Sequence, residues 1–139
     1  MRALIYETIE TAIGNLVEHV GLWNDQMRTP LQERPMDLPA VLVEFRDIDW
    51  QPLLHGWREG KATVVLHVLI DSRVGHYVDS LEHLTLLDDL NRSLHGLSIC
   101  GQSGEVVNAL TLVHSASNGS FDEVLEHLEE YQAFVTLGA

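Results

Sequence analysis

Very few residues of this 139-residue chain combine the type and the spacing that catalysis requires. Cys100 is its one cysteine, so no second thiol can complete a zinc site or an internal disulfide. The segment Gly101-Gln102-Ser103-Gly104 has the composition of a turn. It is not a G-x-S-x-G nucleophile elbow, and it has no lysine to make a phosphate loop. We therefore predict that the protein is not an enzyme and uses no cofactor.

The histidines and the paired carboxylates have no spacing that is typical of a metal or proton-transfer site. None of the eight histidines takes part in an H-x-H or H-E-x-x-H pattern. His67 and His114 fall on predicted strands and could approach each other, but surface or hydrogen-bonded histidines are commoner. Neighbours such as Asp88-Asp89 and Glu129-Glu130 diverge on a helix, so they do not share a proton. We expect no bound metal.

The charge of the chain restricts its partners. Eight Lys and Arg face 21 Asp and Glu, a formal net charge of −13. Gripping nucleic acid or anionic lipid needs clustered Lys and Arg, so neither partner is expected. The acidity favours solubility, a basic partner, or a surface past which DNA moves without sticking. Apolar runs are too short for a membrane span, and Glu7 and Glu10 interrupt any signal segment, so we expect cytoplasmic synthesis.

The first third of the chain predicts a helix, a loop and a strand. Apolar residues recur at three- and four-residue spacing from Ile5 to Val20, and Gly21 can end the helix in the left-handed conformation. Three prolines predict a long solvated loop over residues 24–39. Alternation from Val41 to Phe45 predicts a short strand.

The centre of the chain predicts an exposed arm and the clearest strand. Residues Asp47 to Gly60 read as an extended loop or hairpin arm, in which Trp50 and Trp57 either cap the core or contact another protein. Alternation from Lys61 to Asp71 predicts a strand with one wholly apolar face. Its other face is mixed and needs a cover, for which another subunit is a natural candidate, although a curled sheet can also cover itself.

The next segment predicts a second helix. Asp79 can cap it, with Glu82 three residues later completing a capping box, and Gly96 is the expected residue after its C-terminus. A leucine stripe predicts the buried side of this helix. Its members are Leu81, Leu84, Leu87, Leu90, Leu94 and Leu97.

The last third predicts two closing strands. Residues 98–105 have turn composition, Val107 to His114 alternate as a strand, and Ser115 to Ser120 read as a loop or hairpin tip. Residues 121–129 fit a helix or a strand, and residues 129–137 fit a strand. The chain is therefore predicted to be a single domain, residues 1–139, of the α+β class. A mixed, mostly antiparallel sheet is packed by two helices, with the long arm between strands. The second helix could connect one parallel pair.

We predict a subunit contact on the arm and on the mixed face of the strand that follows it. The arm carries much apolar surface for a segment with two glycines and a proline. A monomer would have to fold it back on its own core, whereas a ring could dock it on the neighbouring subunit. The predicted contact residues are Trp50, Leu53, Leu54, Trp57, Thr63, Val65, His67 and Leu69.

The order of these elements resembles a known family. A helix and a proline-rich loop precede Pro39-Ala40-Val41-Leu42-Val43-Glu44-Phe45, and the arm, the long strand and a helix ending Leu90-Asn91-Arg92-Ser93-Leu94-His95-Gly96-Leu97 follow. The stretch from Phe121 to Phe134 resembles the closing part of that pattern. Together they resemble the tail-terminator and tail-completion proteins of long-tailed phages and prophages. In that family the closing region is extended, which favours a strand over residues 123–128.

The resemblance implies a role in assembly. It implies an α+β subunit of a hexameric ring at the top of the tail tube, with a tail-tube protein and a head-completion or connector protein as partners. DNA would pass through the ring without specific binding, and the protein would move from the host cytoplasm into the virion. The alternatives are a small ligand- or peptide-binding domain, or an enzyme that uses His67, His114 or Cys100. Oligomeric state separates the first reading from the other two.

Overall fold

The computed structural model describes residues 1–24, 37–71, 81–99, 105–121 and 124–138. Within these ranges the chain forms two helices and six strands, the α+β fold that the sequence predicts. A single 3-10 turn, Leu54–Gly56, joins the second strand to the third. In chain order the elements are α1 (Arg2–Ile13), β1 (His19–Leu22), β2 (Ala40–Pro52), β3 (Arg58–Asp71), α2 (Glu82–Leu94), β4 (Glu105–Val107), β5 (Thr111–Phe121) and β6 (Val124–Leu137).

The strands form one mixed, mostly antiparallel sheet. Its order is β1-β2-β3-β6-β4, and β5 also pairs with β6. β6 pairs with β3 over its whole length, while its remaining partners β5 and β4 follow one another along it. The parallel pair is β1–β2 rather than a pair connected through α2. The segment after α1 supplies β1, the strand that pairs in parallel with β2.

Both helices pack on the same side of the sheet, which we call the helix face. Alternate residues of β3 from Val64 to Ile70 lie against α1 and α2 there. Burying each of these aliphatic side chains contributes about 1.5–3 kcal/mol relative to exposure. The helix residues that are completely or almost completely buried are Ile5, Ile9, Ile13, Leu90 and Leu94. No helix in the described ranges is long and apolar enough to cross a bilayer.

The first helix is shorter than predicted. It ends at Ile13, and the predicted helical residues from His19 onward instead form β1, in register with Ala40 to Val43. Val17 and Leu16 still pack on the core between the two elements, which is why the apolar spacing in the sequence looks continuous. Strand pairing outweighs helical propensity here because a free helix end contributes little without packing.

The second helix is only half buried. Leu90 and Leu94 are inaccessible and Leu87 is partly buried, but Leu81 and Leu84 are 75% and 46% exposed. The prediction that all six leucines form one buried stripe is therefore wrong for the start of the helix. The predicted cap Asp79 lies outside the described residues. Gly96 has φ +80°, the left-handed conformation predicted after the C-terminus.

The closing strands differ from the prediction, because residues 108–110 divide the predicted strand of residues 107–114 between β4 and β5, and β5 continues to Phe121. Residues 115–120, predicted as a loop, continue β5, which pairs with β6 and is interrupted by two register shifts. Gly119 has φ +83° inside the second shift, where a bulge uses the freedom of glycine. β6 begins at Val124, so the extended assignment of the ambiguous segment is confirmed there, although residues 122–123 are not described.

Candidate assembly surface on the β2–β3 hairpin

The hairpin of β2 and β3 is divided by a register shift between Phe45 and Asp47. On one side of this shift, the helices cover one face of the two strands and other residues of the chain cover the opposite face. On the other side lies the predicted arm, residues 47–60, which is a regular antiparallel ladder up to the pair Pro52–Arg58. The arm is therefore a long hairpin end, not an irregular loop.

The arm exposes a large amount of apolar surface. Trp50 and Trp57 are 38% and 39% exposed, Leu53 is 44% exposed, and Leu54 at the tip is 82% exposed. These four are the arm residues that the sequence predicts for a subunit contact. Large exposed apolar side chains gathered in one segment are typical of protein–protein contacts, in which Trp is enriched.

The tip of the arm is a tight turn with a fixed shape. His55 has φ +60° and Gly56 has φ +79°, two successive left-handed residues as in the turns that join short hairpins. The backbone N–H of Leu53 donates to the carbonyl of Trp57 at 2.7 Å, and that of Trp57 donates to the carbonyl of Leu54 at 3.3 Å. A histidine in this conformation is strained, and strain of this kind often accompanies a functional surface.

Trp50 is positioned by its cross-strand partner Gly60. A Cβ atom at Gly60 would lie 2.8 Å from the indole ring, so the ring can lie flat on the strand only because residue 60 has no side chain. The guanidinium of Arg58 lies 5.1 Å from the centre of the same ring, within cation–π range. The indole is therefore held in one place before any partner binds.

The two sides of the arm differ in polarity. Directly paired residues point to the same side of a sheet, so Ile48, Trp50, Arg58 and Gly60 continue the helix face. The other side carries a polar set. These residues are Asp47, Asp49, Gln51, Glu59 and Lys61. The arm is thus amphipathic, with its apolar side on the side of the sheet where the helices lie.

The predicted receiving residues on β3 are not available on the surface. Val65, His67 and Leu69 are buried by the chain itself, and Thr63 is partly buried. Residues of the same chain, Trp23 after β1 and Leu38 before β2, cover this part of the face. Trp23 stacks on His67 with ring centres 3.7 Å apart and an angle of 1° between the planes. Leu38 and Trp23 also pack on an apolar group that includes Leu69.

A buried charge network takes the place of the expected contact surface. His67 Nδ1 lies 2.7 Å from Glu126 Oε2, and His67 Nε2 lies 2.7 Å from Glu44 Oε1. With a proton on each ring nitrogen, His67 donates a hydrogen bond to a carboxylate at both ends of the ring. Asn118 donates to Glu126 at 2.5 Å, and Arg46 pairs with Glu44 at 3.2 Å. The network joins β2, β3, β5 and β6.

The pKa values of the two glutamates reflect these partners. Burial alone would raise the pKa of Glu126, but hydrogen bonds from His67 and Asn118 outweigh it, and the pKa lies below its usual value. Burial acts against ionisation of Glu44 as well, and hydrogen bonds from Arg46 and His67 lower its pKa overall. Both ring nitrogens of His67 are occupied, so the network is suited to holding strands together rather than to proton transfer.

Other candidate residues are not brought together. His114 is exposed on β5, and β6 lies between β5 and the strand of His67. His83 of α2 and His127 of β6 stack with ring centres 5.8 Å apart. Among the described residues, no group of three or more His, Cys, Asp or Glu side chains is placed to hold a metal ion. Cys100 and the segment 101–104 lie outside the described residues.

Sequence reasoning missed the charge network although one signal was present. Glu44 and His67 interrupt the apolar alternation of their strands, and buried polar residues usually have partners. The partner Glu126 lies 59 residues from His67 in the chain, in the segment that fitted a helix or a strand equally. Only the register of β3 against β6 brings the two together.

Comparison with solved structures finds chains with a similar fold. No family model and no curated protein sequence matches the chain. Its fold is similar to that of a chain in a solved structure described as "Virion of native gene transfer agent (GTA) particle". The TM-score is 0.59, the similarity covers 98% of this chain and 94% of that chain, and the sequences are 12% identical. At this identity the comparison shows a shared fold.

Proposed function

We propose that this chain is a structural protein of a phage-like virion, and specifically the subunit of a ring that caps the tail tube and presents the head-joining surface. The observation that carries the proposal is the fold similarity to a chain of a gene transfer agent particle, since it extends over nearly the whole length of both chains. The finer assignment, to a ring that caps the tail tube, comes from the order of helix, loop, arm, strand and helix, which resembles the order in tail-terminator proteins.

The arm supports a role in self-assembly. It exposes two tryptophans and two leucines on a ladder whose tip has a fixed turn. A contact that uses preorganised side chains loses less conformational entropy on binding. If one arm docks on one neighbour, the contact is head-to-tail, and such contacts close into rings when the rotation between subunits allows it. A hexamer is the ring that the tail-terminator resemblance implies.

The charge of the chain supports a ring around DNA. A net charge of −13 repels the phosphate backbone, so DNA would slide through the opening without specific binding. The remaining surfaces of the ring would bind a tail-tube protein below and a head-completion or connector protein above. In this role the protein is made in the host cytoplasm and then incorporated into the virion.

The test is the double variant Trp50→Ala, Trp57→Ala. Truncating a central tryptophan of a contact typically costs about 2 kcal/mol or more, roughly a 30-fold loss of association. We expect the variant to stay folded by circular dichroism and to lose the wild-type oligomer in sedimentation velocity and negative-stain images. Val113→Ala, at an exposed residue of β5, is the matched control and should keep the oligomer.

Two results would contradict the proposal. One is a wild-type protein that stays monomeric at high concentration and does not bind the ends of tail tubes. The other is a double variant that unfolds while its remaining folded fraction keeps the wild-type size, because the tryptophans would then belong to the core of the subunit.

A further inference from the structure

The arm continues the helix face beyond the helices of its own chain. Past the register shift, Ile48, Trp50 and Gly60 keep the side of the sheet that α1 and α2 cover elsewhere. Trp50 nevertheless remains 38% exposed. An apolar sheet surface of this kind is normally covered by a helix layer. The part of the chain that the structure describes supplies no such helix over the arm.

The start of α2 presents the complementary feature. Leu81 and Leu84 are exposed at this end of the helix, beside a groove of about 360 Å³. Leu54 and Leu81 both remain more than two-thirds exposed in the same chain, so the arm tip does not fill the groove of its own subunit. The groove is lined by Leu16, Leu81, Glu82, Thr85, Leu86 and Asp89.

We propose that the apolar side of the arm docks in the α2 groove of a second copy of this chain. The docked α2 would extend the helix layer of the first copy across its arm, with Leu54 and Trp50 against Leu81. This inference rests on the proposed ring and names the receiving site, in place of the buried residues of β3.

The charges on the two surfaces are complementary. The apolar side of the arm carries one cation, Arg58, held over Trp50. The groove carries the carboxylates of Glu82 and Asp89, and Asp89 already pairs with Arg92 at 3.0 Å. A second guanidinium at this carboxylate would extend the pair into a network. Arm against arm would instead bring two Arg58 side chains together, so the charges favour the head-to-tail contact over the symmetric one.

A disulfide trap tests the contact directly. In a Cys100→Ser background, Leu54→Cys and Leu81→Cys are combined in one chain. The expected result under mild oxidation is a ladder of crosslinked species that ends at one closed size. Each single-cysteine variant can form at most a dimer. The control pair Leu54→Cys, Val113→Cys places the second thiol on β5 and should give no ladder.

A mixing experiment covers the case in which a cysteine variant fails to fold. Leu54→Glu keeps an intact groove, and Leu81→Glu keeps an intact arm. Each alone should be monomeric, and a 1:1 mixture should give a heterodimer that grows no further, because only one intact contact can form. Both substitutions are at exposed side chains, so both chains should fold normally.

The outcomes separate this inference from the proposed function. Wild-type rings without a ladder, together with Leu81→Glu rings of normal size, would overturn the groove as the receiving site and leave the assembly role standing. A ladder that grows without a closed end would support the contact and contradict the ring. Monomers in every sample, including wild type, would contradict both.

Discussion

The two parts of the β2–β3 hairpin share one ladder and differ in everything around it. Between Ala40 and Phe45 the ladder is covered on both sides, by helices on one and by the His67 network and Trp23 on the other. Beyond the register shift most residues of the same two strands are exposed, while Ile48 is partly buried and Gly60 and Ala62 are buried. Both parts have antiparallel register, so the ladder alone does not distinguish the covered part from the exposed arm.

In the proposed assembly, stability and function separate at the register shift. The covered part is closed by contacts within the chain, so substitutions there should act on folding. The arm has apolar side chains that its own chain covers only in part, so substitutions there should act on association. A substitution in the arm that acts mainly on folding, or one in the covered part that acts mainly on association, would show that the register shift is not the boundary.

The largest expected effect is the difference in stability between two equivalent variants, leucine to aspartate in the covered part and leucine to aspartate in the arm. Leu66→Asp puts an unpaired charge at a residue with no exposed surface, and we expect loss of the folded state. Leu54→Asp, at the exposed tip, should change the free energy of unfolding by no more than about 0.5 kcal/mol. Thermal melts followed by circular dichroism, at a concentration where both are monomeric, compare them. Similar melting of the two variants would remove the distinction.

How far the sequence predicts this division depends on the distance over which each signal acts. Two predictions depend only on neighbouring residues, and the structure confirms both. They are the alternation that buries Ala62, Val64 and Leu66, and the left-handed conformation of Gly96. The arm was predicted from its composition. The charge network was not, because Glu44, His67 and Glu126 meet only through the register of three strands.

Two further misses have the same origin. His19 and Val20 fit the spacing of the first helix, and only the pairing of residues 19–22 with β2 makes this segment a strand. Leu81 fits the leucine stripe of α2, yet the stripe extends past the core that could bury it. Periodicity predicts which side of an element is apolar, but it does not predict which residues that side contacts.

A smaller effect on the free energy of unfolding is expected when His67 is removed from the buried network of the covered part. His67→Leu leaves the buried carboxylate of Glu126 without its partner on β3, and breaking a buried pair in this way typically costs about 3 kcal/mol or more. The control His114→Leu, at an exposed histidine, should change the free energy of unfolding by about 0.5 kcal/mol or less. Urea unfolding at neutral pH measures both.

The origin of that effect can be isolated with a double variant. If the loss comes from an unpaired carboxylate, His67→Leu combined with Glu126→Gln should be less destabilised than the sum of the two single variants. Strictly additive losses would mean that His67 acts through packing against Trp23 and not through its charge.

The smallest effect is a dependence of stability on pH. The pKa values of Glu44 and Glu126 lie below their ordinary value of 4.5 in the folded chain, so below about pH 4.5 the unfolded chain binds protons that the folded chain does not. Their contribution is therefore present above pH 4.5 and is lost as the pH falls through the lowered folded pKa values. Burial, with the neighbouring His83, lowers the pKa of His127 from 6.5. Its effect has the same sign and begins below pH 6.5.

The free energy of unfolding should thus decline gently below pH 6.5 and more steeply below pH 4.5. Urea unfolding across this range measures it, and two single variants assign the two phases. Glu126→Gln should flatten the steep phase because an amide binds no proton there, while His127→Gln should flatten only the gentle one. A wild-type protein equally stable at pH 7 and pH 4 would mean that Glu44 and Glu126 have no net preference for the folded network. The covered part of the hairpin would then be held by its apolar face alone.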